Sequence, residues 1–159
     1  MIGTGAVVRV DLVLGEHSFS VNVSDGRGAN STAIVRIAVR DTAAPVASLV
    51  ITPSELWPPN HKLVSVAPVV TASDECDANP SIELLSVTSS EPDNGLGDGD
   101  TVNDIQGVVA GTNPKAISLR AERSGAGSGR IYTFQYRVHD GSGNSTTASG
   151  QVLVPHDRR

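Results

Sequence analysis

Apolar and polar residues alternate along most of this chain, which is the pattern of β-strands that bury one face. Around residue 20, for example, Phe19, Val21 and Val23 share one side, and serine and asparagine share the other. The alternating segments predict strands at 46–52, 63–72, 82–88, 105–110, 116–122, 131–139 and 149–154. No segment has the period of a long amphipathic helix, so the pattern predicts an all-β protein.

One alternating segment occurs twice. Residues 17–32 recur as residues 132–146, each copy being a strand, an Asp-Gly-x-Gly turn and an Asn-Ser-Thr string that opens a second strand. Glycines in such a turn supply the positive φ angles of a tight hairpin. The copies lie about one hundred residues apart, which is the length of an immunoglobulin-like (Ig-like) β-sandwich. We therefore expect a complete Ig-like module in residues 43–159.

Residues 1–42 then correspond to the last three strands of a preceding Ig-like module, beginning with a strand at 7–14. Three strands cannot bury both of their faces. They must dock on the second module, pair with another chain, or belong to a fold whose missing strands come from elsewhere. The sequence leaves these alternatives open.

Charge is distributed unevenly. The net charge is -5, and residues 63–114 carry nine of the seventeen acidic residues and none of the twelve basic ones. An acidic chain without a basic tract argues against nucleic acid as a partner. No apolar run approaches the roughly 18 residues of a membrane helix, so we expect no membrane span. The single cysteine, Cys76, excludes an intramolecular disulfide.

The most acidic stretch, residues 91–104, is a candidate Ca²⁺ site. Carboxylates that lie this close together repel each other unless solvent separates them, protons neutralise them or a cation draws them together. The loop is not an EF-hand, because Val102 occupies the position of the third ligand. The alternative is a solvated acidic loop without metal. The predicted ligands are Glu91, Asp98, Asp100, Asn103 and Asp104.

Two further groups of charged residues need an explanation. Asp74, Asp77 and Asn79 could form a second metal site, but aspartates that cap backbone amides in an Asx-turn explain them better. Arg123 and Arg130 flank a glycine-rich loop, from which they could pair with the acidic residues.

Three segments carry a family resemblance. The string Leu-Trp-Pro-Pro-Asn-His-Lys at 56–62, together with residues 73–80 and 119–125, resembles bacterial extracellular Ig-like modules, which are similar to hyalin-repeat and cadherin-like repeats. The resemblance implies a secreted or cell-surface, non-catalytic module that stands beside other Ig-like modules and is often associated with Ca²⁺. In hyalin-like repeats the cysteine matched by Cys76 usually pairs with a second one, which is absent here, so we expect Cys76 to be buried near a strand end.

Catalysis is not expected. The four histidines lack zinc-site spacing, and no Gly-x-Ser-x-Gly string is present. The sequence therefore predicts a structural or adhesion module that is stiffened by Ca²⁺ bound in the acidic loop and is not an enzyme. Its expected partners are neighbouring modules and a glycan or cell-surface ligand. The alternative is a carbohydrate-binding accessory module of a secreted hydrolase, in which Trp57, Asn60 and His61 contact a glycan. Because tryptophan is highly buried on average, we expect Trp57 to pack across the end of the sandwich instead.

Overall fold

The protein is described by a computed structural model over residues 3–95, 97, 99 and 101–157. These residues contain nine β-strands and no helix, which confirms the predicted all-β class. In the described part of the chain no helix is therefore long and apolar enough to cross a membrane. The chain divides into two compact units, residues 1–42 and residues 43–159.

The first unit contains one antiparallel hairpin, made of β1 (Gly15–Ser24) and β2 (Asn30–Val39). In its register Phe19 lies opposite Val35 and Val21 lies opposite Ala33. Residues 7–14 were predicted as a strand from their alternation, and this prediction is wrong, because the structure assigns no strand there. Alternation alone does not make a strand when no neighbouring backbone supplies the hydrogen bonds of the ladder.

The second unit contains two antiparallel sheets. One sheet has the order β3 (Val46–Thr52), β4 (Leu63–Ser73), β7 (Ile117–Arg120), β6 (Ile105–Gln106). The other has the order β5 (Ser81–Ser89), β8 (Gly129–His139), β9 (Ser145–Pro155). All seven strands predicted for this unit are present. The strand predicted at 105–110 is only two residues long, because Gly107 turns the chain with a positive φ of 81°.

The core of the second unit is filled from both sheets, which fits a β-sandwich. Along β8 every second residue points inward, and the inward side chains from position 132 to position 138 are fully buried. The other sheet contributes Ile51, Val66 and Leu119 to the same cluster. The alternation seen in the sequence thus decides which side of each strand enters the core.

Strands β3 and β9 approach closely at one glycine. A Cβ atom at Gly150 would lie 2.9 Å from Leu49 Cδ2 and 3.0 Å from Ile51 Cδ1. These two side chains belong to the opposite sheet, and Ile51 is buried in the core. The absence of a side chain at Gly150 therefore lets the edges of the two sheets pack together.

We predict that Gly150→Ala lowers the free energy of unfolding by about 1–3 kcal/mol, because the added methyl group overpacks the contact with β3. Urea denaturation measures the change. Ser149→Ala, at the neighbouring exposed position, is the control and should leave stability within about 0.5 kcal/mol. Equal stabilities for the two variants would show that the sheets do not meet at this glycine.

Candidate functional site

Several segments far apart in sequence meet at one end of the second unit. Hydrogen bonds join the loop before β4, the acidic loop before β6 and the segment between β7 and β8. We call this region the polar end. Its charged and polar members are His61, Glu91, Asp93, Thr101, Asp104, Arg120, Glu122, Arg123 and Arg130.

Arg130 occupies the centre of the polar end. It lies two residues before Tyr132 on the inward face of β8, and its side chain is fully buried. Its Nε donates to a carboxylate oxygen of Glu91 at 3.2 Å, and its Nη1 forms an ion pair with Asp104. Its Nη2 donates to the carbonyl of Pro92 at 3.2 Å. A buried guanidinium is tolerated when carboxylates and further hydrogen bonds compensate it in this way.

Asp104 binds a second arginine as well. Arg120 Nε lies 2.9 Å from its Oδ1, and the same guanidinium donates to the carbonyls of Val102 and His61 at 2.8 and 2.9 Å. Burial raises the pKa of the Asp104 carboxyl, and the hydrogen bonds from Arg130 and Arg120 oppose that rise. Arg120 therefore ties two loops to one buried carboxylate.

Two further residues, Tyr132 and Asp93, form hydrogen bonds at this end of the acidic loop and of β7. Burial raises the pKa of Tyr132 to about 12, so that the phenol stays protonated and donates to the carbonyl of Arg120 at 2.9 Å. The carboxylate of Asp93 accepts hydrogen bonds from the backbone amides of Asn103 and Asp104, at 3.0 and 2.7 Å. These two bonds lower the pKa of Asp93, because they favour the charged form.

Glu122 is the second fully buried acid of the polar end. Its Oε2 lies 2.8 Å from Nδ1 of His61 and also accepts a hydrogen bond from the hydroxyl of Thr101. Its Oε1 has no hydrogen-bond partner among the described residues. Glu122 thus fixes the orientation of the imidazole of His61, whose side chain is 49% exposed.

These contacts involve several of the residues that were predicted to bind Ca²⁺. Two of them, Asp98 and Asp100, lie outside the described residues. Glu91 and Asp104 pair with Arg130, which engages carboxylate oxygens that Ca²⁺ binding through these residues would use. The described hydrogen bonds of Asn103 use its backbone: its amide donates to Asp93 and its carbonyl accepts from the side chain of Gln106. Ca²⁺ binding through Asp98 and Asp100 stays a prediction.

The two arginines that sequence analysis placed near the acidic residues behave differently. Arg130 does pair with them. Arg123 instead donates to the carbonyls of Ser124 and His156, at 3.4 and 3.0 Å. Among the described residues no carboxylate pairs with its guanidinium, and its described acceptors are these two carbonyls.

The second acidic cluster has the contacts of a capped turn. Asp74 Oδ1 accepts from the amides of Cys76 and Asp77 at 2.8 and 2.9 Å. The carboxylate of Asp77 accepts from the amides of Asn79 and Gly141, both at 2.9 Å. These are the hydrogen bonds expected of the Asx-turn interpretation. Cys76 was expected to be buried near a strand end. It lies three residues after the end of β4, but the expected burial is wrong, because this turn is exposed.

The loop before β4 also differs from expectation. Trp57 was predicted to pack across the sandwich, but it is 40% exposed, and its neighbour Leu56 enters the core instead. The amide of Leu56 bonds to the carbonyl of Leu153 at 2.8 Å, which ties this loop to β9. Asn60 Oδ1 accepts from the amide of Lys62 at 3.2 Å, which closes the turn before β4.

Sequence analysis did not identify Arg120 and Glu122 as members of the site. The alternation of β8 did contain a signal for Arg130, because counting back by twos from Tyr136 and Phe134 leads to position 130 on the buried face. A charge at an inward position predicts a buried partner of opposite sign. No comparable period runs through residues 121–123, where the chain leaves β7.

We predict that Arg130→Met lowers the free energy of unfolding by about 3–5 kcal/mol, because it removes a buried charge that compensates Asp104. The matched control is Arg137→Met on the same strand. Arg137 pairs with Glu83, but half of its side chain is exposed, so the loss should be only about 0–1 kcal/mol. Urea denaturation of both variants gives the comparison, and similar losses would contradict the account.

We predict that His156 titrates above 6.5, since hydrogen bonds to Asp157 (2.9 Å) and to the carbonyl of Gly125 (3.1 Å) raise its pKa. Because the pKa is raised, these hydrogen bonds stabilise the folded state fully below pH 6.5. This stabilisation is lost as the pH rises through the folded-state pKa. NMR titration of the imidazole protons measures the value. Asp157→Asn should move the pKa toward 6.5, and an unchanged pKa in this variant would refute the assignment.

Comparisons of the chain with models of protein families, with curated proteins and with solved structures find no match. The inference of function therefore depends on the residues and the geometry described above.

Proposed function

We propose that the chain is a non-catalytic, Ig-like structural or adhesion module of a larger secreted or cell-surface polypeptide. The strand order of the second unit supports the Ig-like assignment. Its sheets, β3-β4-β7-β6 and β5-β8-β9, correspond in chain order to the ABED and CFG sheets of a seven-stranded constant-type Ig domain.

The observation that carries the proposal is the structural match between hairpins β1–β2 and β8–β9. In both turns the amide of the aspartate bonds, at 3.1 Å, to the carbonyl four residues later: Asp25 to Ala29, and Asp140 to Asn144. In both turns Oδ1 of that aspartate also accepts two backbone amides. The sequence repeat is therefore also a repeat of local structure, with β1–β2 in the place of strands F and G.

The equivalent faces of the two hairpins differ in burial. Tyr136 and Val138 are fully buried, whereas their counterparts Val21 and Val23 are 47% and 63% exposed. In the second unit, core residues of β3, β4 and β7 pack in one cluster with the inward face of β8. A contiguous exposed apolar face marks an interaction site. By the same geometry, the face of β1–β2 is suited to the remaining strands of an Ig-like module, which makes neighbouring modules the proposed partners.

The arginine contacts give the proposed module a rigid end. Arg130 and Arg120 bring two positive charges to a loop whose crowded carboxylates would otherwise repel one another. They compensate Glu91 and Asp104 from within the chain, and Ca²⁺ bound through Asp98 and Asp100 remains the predicted compensation for the rest of the loop. A loop held in this way can present a fixed surface to an adjoining module or to a cell-surface ligand.

We predict that the amides of β1–β2 exchange with solvent far faster than those of β8–β9. An isolated hairpin is marginally stable and opens at almost no cost, whereas core strands open at nearly the global free energy of unfolding. With a global value of at least about 5 kcal/mol, the protection factors should differ by about a thousandfold or more. Hydrogen exchange followed by NMR measures both hairpins in one sample.

The β8–β9 hairpin is the internal control, because the ladder of each hairpin runs from the same kind of turn. Equal protection of both hairpins in a dilute, monomeric sample would contradict the proposal that β1–β2 lacks its covering strands. Protection of β1–β2 that grows with protein concentration would show that a second copy covers the face, which also contradicts it.

A second candidate function is that of a carbohydrate-binding accessory module of a secreted hydrolase. The exposure of Trp57 favours it, because an exposed aromatic ring offers an amphipathic platform. In this candidate the ligand contacts come from the loop before β4, at the polar end, and the β-sandwich serves as the scaffold.

A further inference from the structure

One edge of the second unit, strand β3, is open to pairing. It is the last strand of its sheet, and over Val46–Thr52 its backbone forms no hydrogen bond with described residues other than those of β4. The other side of such a strand presents N–H and C=O groups that can pair with a further strand. Native proteins usually protect these edges with charged side chains, prolines, bulges or a covering segment.

The other edge strands have features of this protective kind. β1 and β2 contain Glu16 and Arg36, and β5 contains Glu83 and a register irregularity. β6 is only two residues long. On β9, the backbone of Leu153 is bonded to the loop between β3 and β4, which covers that end of the edge.

Strand β3 has none of these features. Its sequence, Val-Ala-Ser-Leu-Val-Ile-Thr, contains no charge, no glycine and no proline. No charged residue occurs between Asp41 and Glu55. Its outward valines, Val46 and Val50, are 74% and 62% exposed. An exposed, apolar and uncharged edge of this length is suited to pair with another strand.

A second copy of the chain supplies a strand that fits this edge. Antiparallel pairing about a two-fold axis at Leu49 places Ser48 opposite Val50, and only uncharged side chains meet along the strand. Leu49 packs against the core but is only partly buried, and the pairing removes more of its surface from water. Elsewhere the net charge of -5 makes two copies repel.

We propose that two copies of the chain associate by antiparallel pairing of β3 with β3, which joins their four-stranded sheets into one continuous sheet. The inference goes beyond the proposed structural or adhesion function and does not depend on hairpin β1–β2. A seven-residue strand is only about 23 Å long. The contact is therefore small, and the association is weak and reversible.

Sedimentation equilibrium of the full chain, from micromolar to millimolar concentration, measures the association, and hydrogen exchange of β3 locates it. In a monomer, alternate amides of β3 point away from β4 and exchange freely. We expect the protection of these amides to rise at least about tenfold with concentration, because in the dimer they donate to the second copy.

Val50→Lys tests the contact, with Val69→Lys as the matched control. Val69 lies opposite Val50 on β4 and is 56% exposed. Both variants make the same change of charge on the same face, but only Val50 lies on the edge strand. Because lysine on an edge strand opposes strand pairing, we expect Val50→Lys to weaken association at least about tenfold and Val69→Lys less than about threefold. Both positions are exposed, so both variants should keep the fold.

The proposal is overturned if the chain stays monomeric at millimolar concentration, if it associates without protecting the outward amides of β3, or if both variants weaken association equally. Protection that is the same at every concentration also overturns it, because the chain itself would then cover the edge. The amides of β1–β2 are followed separately in the same exchange experiment. Failure of this inference and failure of the proposed function are therefore distinguishable.

Discussion

The polar end depends on one buried cation. Arg130 lies at an inward position of β8, among positions at which the strands otherwise bury apolar side chains. A buried guanidinium in such a place needs carboxylates as partners. Its partners Glu91 and Asp104 lie at the two ends of the acidic loop. Arg120, on strand β7, also pairs with Asp104. Because unpaired charges are costly inside a protein, these contacts fix the loop more strongly than exposed ion pairs would.

The two hairpins differ in whether their equivalent apolar faces are buried. Hairpins β1–β2 and β8–β9 share a sequence pattern, a turn and an antiparallel register. Within the second unit, the apolar face of β8–β9 packs in the core cluster. On the matching face of β1–β2, Phe19 is only partly buried and Val21 and Val23 are exposed. The hairpin is thus a piece of structure whose side chains are arranged for a core that the described residues of its own unit do not supply.

Much of the fold could be predicted, because alternation over seven to eleven residues decides both the strand and its inward face. Strands β3, β4, β5 and β8 follow from that rule. It was wrong for residues 7–14, since pairing depends on a neighbour that alternation does not reveal. The rule also predicted a longer β6 than the structure has, because Gly107 ends that strand with a positive φ.

The site was harder to predict, because many of its contacts join residues that are 10 to 61 positions apart. Composition revealed an excess of carboxylates and suggested a metal ion. It could not show that Arg130 and Arg120 point at those carboxylates, which depends on how β7 and β8 pack. Trp57 and Leu56 illustrate the same limit: both are apolar, and the sequence does not show that Leu56 enters the core while Trp57 stays 40% exposed.

The central claim is that arginines of the chain compensate Glu91 and Asp104, the carboxylates at the two ends of the acidic loop, without a bound ion. The most direct measurement is hydrogen exchange at the amides of Asn103 and Asp104, which donate to Asp93, in excess chelator and again with millimolar Ca²⁺. The account predicts that both amides stay protected in chelator, because the contacts that hold this end of the loop come from the chain itself. Loss of protection in chelator that Ca²⁺ restores would contradict it and would assign the ordering of these residues to Ca²⁺.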